Sequence, residues 1–246
     1  MKHVPILLRP VGKDYLWGGE RLKTEYHKQI DLTPLAETWE CSTHPDGCSI
    51  VDSGAAAGKP LRTVLQEHPE YLGIYANSEG ELPILIKLID AKKDLSVQVH
   101  PDDAYAKQYE NGQNGKTEMW YVLEAEPDAS LVYGFQHTMT PERLRQSLAE
   151  GTLEADLQSV PVSKNDAFLI PAGTVHAIGA GILLAEIQQS SNLTYRLYDY
   201  NRTDANGNKR PLHIEKAVAT VDYQQKPLPE QNRTVEQKDG YTEEVL

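Results

Sequence analysis

Leu95-Ser-Val-Gln-Val-His-Pro-Asp-Asp103 alternates apolar and polar side chains and then meets a proline. On a β-strand, residues i and i+2 point to the same face. Gln98 and His100 therefore project together into whatever the strand lines, while Val97 and Val99 pack behind. Pro101 has no N–H to give to a ladder and closes the strand. An amide oxygen beside an imidazole is half of a metal site, and the other half has to come from elsewhere in the chain.

The flanking sequence is built from further short strands. Pro83-Ile-Leu-Ile-Lys-Leu-Ile-Asp90 reads as a buried strand with Lys87 as its one cation. Residues 118–123, 130–134, 167–171, 182–189 and 193–200 read as strands too. In the last of these, Tyr195, Leu197 and Asp199 share one face and Thr194, Arg196 and Tyr198 the other. Residues 36–42 alternate, His44-Pro-Asp-Gly47 is a turn, and residues 48–52 form a second strand, which together predict a hairpin. Trp17-Gly18-Gly19 is a further turn. Helical spacing is confined to residues 60–68, 101–112, 140–149 and 213–220, the third with Thr140 as N-cap and Gly151 as stop. Many short strands with few helices imply a mainly β chain, an antiparallel sandwich or barrel.

Composition excludes several classes of function. The 246 residues carry 24 basic and 36 acidic side chains, a net charge of −12. Such a chain is poorly suited to nucleic acid or to an anionic membrane, although a local basic pocket still accommodates a small phosphorylated ligand. No apolar run approaches a membrane span and the first residues lack a signal-type apolar stretch. Two cysteines, Cys41 and Cys48, are too few for a disulfide scaffold and lack zinc-ribbon spacing, so a cytoplasmic location with reduced thiols is expected.

Two later residues complete the metal set. Glu118 opens a strand, and Pro171-Ala-Gly-Thr-Val-His176 is a tight bend that delivers a histidine. Two imidazoles, a carboxylate and an amide suit a borderline divalent ion, with zinc the default, and a site without thiolates reads as catalytic rather than structural. Five other histidines, His3, His44, His68, His137 and His213, are read as ordinary polar residues. Trp17, Trp39 and Trp120 are read as core rather than sugar-stacking surfaces, and Glu37 and Glu40 as polar residues of a sheet.

The Pro-x-Gly-x-x-His bend, with the upstream Gln98-x-His100 and Glu118, resembles the two-part cupin signature, with Gln98 in place of its first histidine. Ser-Val-Gln98-Val-His100-Pro-Asp, Lys116-Thr-Glu118-Met-Trp-Tyr and Ile-Pro-Ala-Gly-Thr-Val-His176 together resemble the type I mannose-6-phosphate isomerases, in their short bacterial form. Ala36-Glu-Thr-Trp39, Leu82-Pro-Ile-Leu-Ile-Lys87, Gln189-Ser-Ser-Asn-Leu-Thr-Tyr-Arg196 and Arg210-Pro-Leu-His-Ile-Glu-Lys216 match as well.

The resemblance implies a cupin jelly roll over residues 1–223. Residues 224–246 would be a linker or the start of a C-terminal β-domain that is otherwise absent. It implies one zinc ion per chain on Gln98, His100, Glu118 and His176. Arg196, Lys116 and Glu186 would be catalytic, and Lys87, Ser96 and Arg196 would bind substrate, with Glu186 the leading proton-transfer base and Lys116 the alternative. The activity implied is interconversion of mannose 6-phosphate and fructose 6-phosphate through a cis-enediol(ate), by a monomer or weak homodimer with no nucleic-acid or membrane partner. The family often has Asp where this chain has Asn192. Two other readings use the same scaffold: an iron-binding cupin dioxygenase, and a phosphosugar-binding cupin without catalysis.

Overall fold

The computed structural model describes residues 5–203, 206–224 and 234–245. Its strands are β1 (Leu8–Arg9), β2 (Val11–Lys13), β3 (Glu37–Cys41), β4 (Ile50–Val51), β5 (Ile84–Ala91), β6 (Val97–Val99), β7 (Glu118–Ala125), β8 (Ser130–Phe135), β9 (Leu157–Pro161), β10 (Ala167–Ile170), β11 (His176–Ile178), β12 (Ile182–Gln189), β13 (Tyr195–Tyr198), β14 (Thr234–Gln237) and β15 (Thr242–Val245). The α-helices are α1 (Arg21–Thr24), α2 (Leu61–Glu67), α3 (Asp103–Tyr109), α4 (Pro141–Glu150) and α5 (Ile214–Thr220). None of the described helices is long and apolar enough to cross a membrane.

Two antiparallel sheets make the body. One has six strands in the order β10-β7-β12-β5-β3-β2, the other five in the order β13-β6-β11-β8-β9. Strict alternation assigns the faces. Ile89, Trp120, Val122, Phe168, Ile182 and Leu184 of the larger sheet pack on Leu131, Tyr133 and Ile178 of the smaller, so these residues form the filling of a sandwich. Residues one step along the same strands face outward. Leu183 and Leu88 meet Leu22 and Leu35 behind the large sheet. Val97, Val99, Tyr195 and Leu197 meet Leu144 of α4 and Ala217 and Val218 of α5 behind the small one. This is the jelly-roll sandwich expected of the sequence.

Local chemistry fixes the helix ends. The Asp102 and Thr140 side chains accept the backbone N–H of Tyr105 and Arg143, and Gly151 adopts the left-handed conformation that ends α4. Gly18 and Gly19 are needed for close approach: a Cβ on Gly18 would lie 2.4 Å from Ala36 Cβ, and one on Gly19 2.2 Å from Asp90 Oδ2. Asp90 in turn accepts from Arg21 Nε at 2.7 Å and from Arg21 N at 2.8 Å, which locks α1 to the outer face of β5.

One expectation is corrected. The strand after the turn at residues 44–47 does not pair with β3 as a hairpin; β4 pairs with β1 instead. The reason is that both edges of β3 are taken, by β2 and by β5, so the returning chain finds no free ladder there. Within the stretch read as a linker or the start of a further β-domain, β14 and β15 pair into a two-stranded antiparallel ribbon. His3 lies outside the described residues. Cys41 and Cys48 are free and half-buried.

Candidate metal centre and active-site cavity

Register brings the polar residues into two facing rows. On the small sheet His176 of β11 lies opposite Gln98 of β6, and Gln98 opposite Arg196 of β13. On the large sheet Trp39, Lys87, Glu186 and Trp120 are successive register partners on β3, β5, β12 and β7, and Glu118 lies opposite Gln188. Between the rows runs a cavity of about 230 Å³, whose lining includes Lys87, Gln98, Lys116, Glu186, Arg196 and Arg210. Larger surface clefts beside Met139 and around Arg62 carry no such constellation.

At one end of this cavity the ligand atoms of His100, Glu118 and His176 all lie within 4.8 Å of one another, and all three residues are buried. His100 Nε2 is 3.2 Å from Glu118 Oε1, and His176 Nε2 is 3.7 Å from Glu118 Oε2. His176 Nδ1 stands 2.9 Å from the Thr174 carbonyl, a contact that fixes the proton there and leaves Nε2 with a lone pair. Gln98 Nε2 is 3.4 Å from that nitrogen, and a half-turn of the amide presents Oε1 at the same place. Lys116 Nζ lies 2.5 Å from Glu118 Oε1 and 3.3 Å from His100 Nε2.

The protonation states suit ligation. Burial, reinforced by the charge on Lys116, pushes His100 down to about 3, and burial pushes His176 down as well, so both imidazoles are neutral near pH 7. Burial acts to raise the Glu118 carboxyl, but Lys116, His100 and His176 outweigh it and hold the group well below the usual carboxylate range. Glu118 Oε1 is enclosed and accepts no hydrogen bond of proper geometry. A dry pocket with two neutral imidazoles, an ionised carboxylate and an amide in reach fits a divalent ion of borderline softness.

Beside the cluster sits a second buried set. Lys87 Nζ is 2.9 Å from Glu186 Oε1 and 3.9 Å from Glu37 Oε2. Trp120 Nε1 donates both to Glu118 Oε2 at 3.0 Å and to Glu186 Oε2 at 3.1 Å, joining this set to the cluster. Trp39 Nε1 donates to Glu37 Oε2 at 2.8 Å, and its ring carries Lys87 Nζ at 5.2 Å. Burial and the charge of Glu118 raise the Glu186 carboxyl, with Lys87 opposing them. For Lys87 burial acts to lower the pKa, but Glu186, Glu37 and Glu118 reverse it and keep the ammonium charged.

The lining contributed by β13 and the segment after it is cationic. Arg196 Nε donates to Ser96 Oγ at 3.2 Å and Nη1 to the Pro211 carbonyl at 3.0 Å. Its backbone N–H is bonded to His213 Nδ1 at 3.1 Å. Arg210 also lines the cavity.

Lys87, Ser96, Gln98, Lys116, Glu186 and Arg196 line one cavity, with the buried His100, Glu118 and His176 against Gln98 and Lys116, and the ordinary readings of several other residues need revision. Glu37 is a buried cavity residue and not a passive polar residue of the sheet. Trp17, although buried, lines the cavity beside Tyr15, with which it stacks at 5.5 Å between ring centres. Trp39 and Trp120 are core by burial, yet their indole N–H groups hold site carboxylates. His213 touches the Arg196 backbone. Glu186 pairs with Lys87, and Asp199 with Arg202 and Arg210, so neither is the partner of Arg196. Arg210 was visible only as part of a longer matching stretch; nothing in its local pattern distinguishes it from a solvated arginine. Asn192 lines the cavity and donates to Asp46 Oδ2 at 2.8 Å, which bridges two loops at its rim.

Comparison with known proteins agrees with this geometry. The catalytic-domain model of type I phosphomannose isomerases matches residues 6–130. A probable mannose-6-phosphate isomerase of Bacillus subtilis is 44% identical over 218 residues, covering 88% of this chain and 68% of that protein. A mannose-6-phosphate isomerase of Streptococcus mutans is 44% identical over 215 residues, covering 87% and 66% respectively. The chain therefore spans about two thirds of the length of these relatives. Among solved structures, the mannose 6-phosphate isomerase from Bacillus subtilis superposes with a TM-score of 0.90 at 37% identity, over 97% of this chain and 74% of the other.

Proposed function

The chain belongs to the type I phosphomannose isomerases, and we propose on that footing that it interconverts mannose 6-phosphate and fructose 6-phosphate at this cavity, with zinc as its metal. The buried His100, Glu118 and His176 cluster beside a cavity whose lining carries Arg196 and Arg210 is the observation that carries the reading. His100, Glu118, His176 and the Gln98 amide would hold the ion. An ion held there would supply Lewis acidity toward negative charge developing on substrate oxygen, and the neutral Gln98 amide would leave more of its charge for that task.

The chain's own residues supply the rest. Isomerisation moves a proton between C1 and C2, which asks for a carboxylate able to hold a proton near neutral pH. Glu186 is assigned that transfer, because burial and Glu118 raise it and Lys87 keeps it ionisable. Lys116, against the cluster, is the alternative and supports the charge that develops on oxygen. Arg196, braced by Ser96, holds the phosphate, so that binding energy remote from C1 and C2 positions them. Residues 1–223 are read as the catalytic domain, followed by the β14–β15 ribbon. All residues named come from one chain, so a monomer or weak homodimer would carry complete sites. The free thiols support a cytoplasmic location.

The test is interconversion of the two hexose 6-phosphates by purified protein, before and after chelation and zinc readdition, beside His100→Ala. Activity lost to the chelator, restored by zinc and absent in the variant is the expected result. A zinc-loaded sample without activity would overturn the reading.

A further inference from the structure

We propose that Arg210 forms, with Arg196, a two-guanidinium subsite for the phosphate group, and that Asp199 is the positioning residue that aims Arg210 into it. The inference rests on the phosphosugar reading above and adds a residue and a device to it.

Arg210 lines the cavity together with Arg196, and both side chains are only partly exposed. Arg196 Nη1 donates to the Pro211 carbonyl at 3.0 Å, so its guanidinium touches the backbone immediately after Arg210. Asp199 is buried and grips Arg210 with both oxygens, Nε to Oδ2 at 2.7 Å and Nη2 to Oδ1 at 2.6 Å. That fork-on-fork geometry fixes the plane of a guanidinium more tightly than one contact can. Asp199 Oδ1 also accepts from Arg202, whose other arm bonds the Asp94 carbonyl, so the carboxylate is itself held. Among the described residues, Arg210 makes its bonds through Nε and Nη2 only.

Charge separates a ligand site from a structural knot here. Arg202 and Arg210 share a single carboxylate, Asp199, and Arg196 stands near enough to feel all three, in a chain whose net charge is −12. The other charges acting on Arg196 are those same three groups; burial and the neighbouring Arg210 lower its pKa and Asp199 opposes them. Holding cations together in a part-buried cavity is costly unless an anion joins them. A phosphate dianion accepts from the guanidinium nitrogens that these bonds leave over, Nη1 of Arg210 and Nη2 of Arg196. Position agrees as well: Arg196 stands two strands from His176, about 10 Å at the usual strand spacing. The group at C6 lies at the far end of a hexose from the C1 and C2 that the metal end must handle.

The decisive experiment titrates the zinc-loaded full chain with inorganic phosphate by calorimetry, beside Arg210→Ala, Arg210→Lys and Asp199→Asn, with metal content and melting temperature recorded for each. Arg210→Ala is expected to weaken phosphate binding at least tenfold and to raise KM for mannose 6-phosphate far more than it lowers kcat. Arg210→Lys keeps the charge and loses the fork, so a severalfold loss is expected even if the alanine variant does not fold. Asp199→Asn is the test of positioning. If the carboxylate only offset charge, its removal would tighten phosphate; if it aims Arg210, phosphate weakens, as we expect. Unchanged phosphate affinity in both Arg210 variants, or tighter binding in Asp199→Asn, overturns the proposal. A wild-type chain that binds phosphate through Arg210 but fails to isomerise hexose 6-phosphates would keep the subsite and remove the isomerase reading instead.

Discussion

Lys87 Nζ lies 2.9 Å from Glu186 Oε1 at directly opposed positions of β5 and β12, with the two side chains only 5% and 4% exposed. The strands place the pair, the sandwich dries it, and Trp120 ties its carboxylate to Glu118. The proton transfer proposed for Glu186 would draw on this same arrangement.

Removing one partner should therefore be costly. Lys87→Met leaves a buried carboxylate without its cation, a change worth about 3–5 kcal/mol. It should lower the urea midpoint sharply and abolish turnover. The double variant Lys87→Met/Glu186→Gln removes both charges and is expected to recover much of the stability but none of the activity. Equal instability of the single and double variants would show that packing, and not the unpaired charge, carries the cost.

Trp120→Phe keeps an aromatic ring, although a smaller one, and deletes the N–H shared by Glu118 and Glu186. Loss of such an outer hydrogen bond to a metal ligand typically costs 10–100-fold in affinity or rate. A fall of that order in kcat or zinc affinity is expected, while the T-shaped packing of this ring on His176, 5.4 Å between centres, persists. Competition with a chromophoric chelator measures the affinity directly.

The two buried imidazoles make the metal-free protein acid-sensitive. Their folded pKa values lie below the unfolded value of about 6.5, His100 at about 3. As pH falls, the unfolded chain takes up protons first. The stability is fully present above about pH 6.5 and is lost progressively toward the folded value of about 3. Urea midpoints of chelated protein should decline from pH 7 to pH 5, and His100→Ala should flatten that decline. A midpoint that rises on acidification would contradict the neutral assignment.

Gly19→Ala should be among the most damaging small substitutions outside the cavity. Its Cβ would meet Asp90 Oδ2 at 2.2 Å, and Asp90 is committed to Arg21. Overpacking of this kind costs about 1–3 kcal/mol before any loss of the ion pair. Gly112→Ala, at φ +81° with open space around it, is the comparison and should cost about 1 kcal/mol through backbone strain alone. Thermal melts of the two variants order the costs.

The sequence by itself determined what short-range chemistry controls. Alternation placed Gln98 and Arg196 on inner faces and Val97 and Val99 behind, because a strand's side-chain period is two whatever it pairs with. Caps and stops marked α4, because Thr140 and Gly151 act on their own backbone. The Pro-x-Gly-x-x-His bend announced a histidine delivered at a fixed point. Only the tertiary structure decided which strand meets which. β4 passes to β1 because β3 has no open edge, and Lys87 meets Glu186, almost a hundred residues on, because β12 lies between β5 and β7. Glu37, Trp120, Asp199 and Arg210 looked like sheet, core and surface because their roles depend on sheet order and on two sheets stacking face to face. Those are sums over many weak long-range contacts, and no single stretch of the chain contains them.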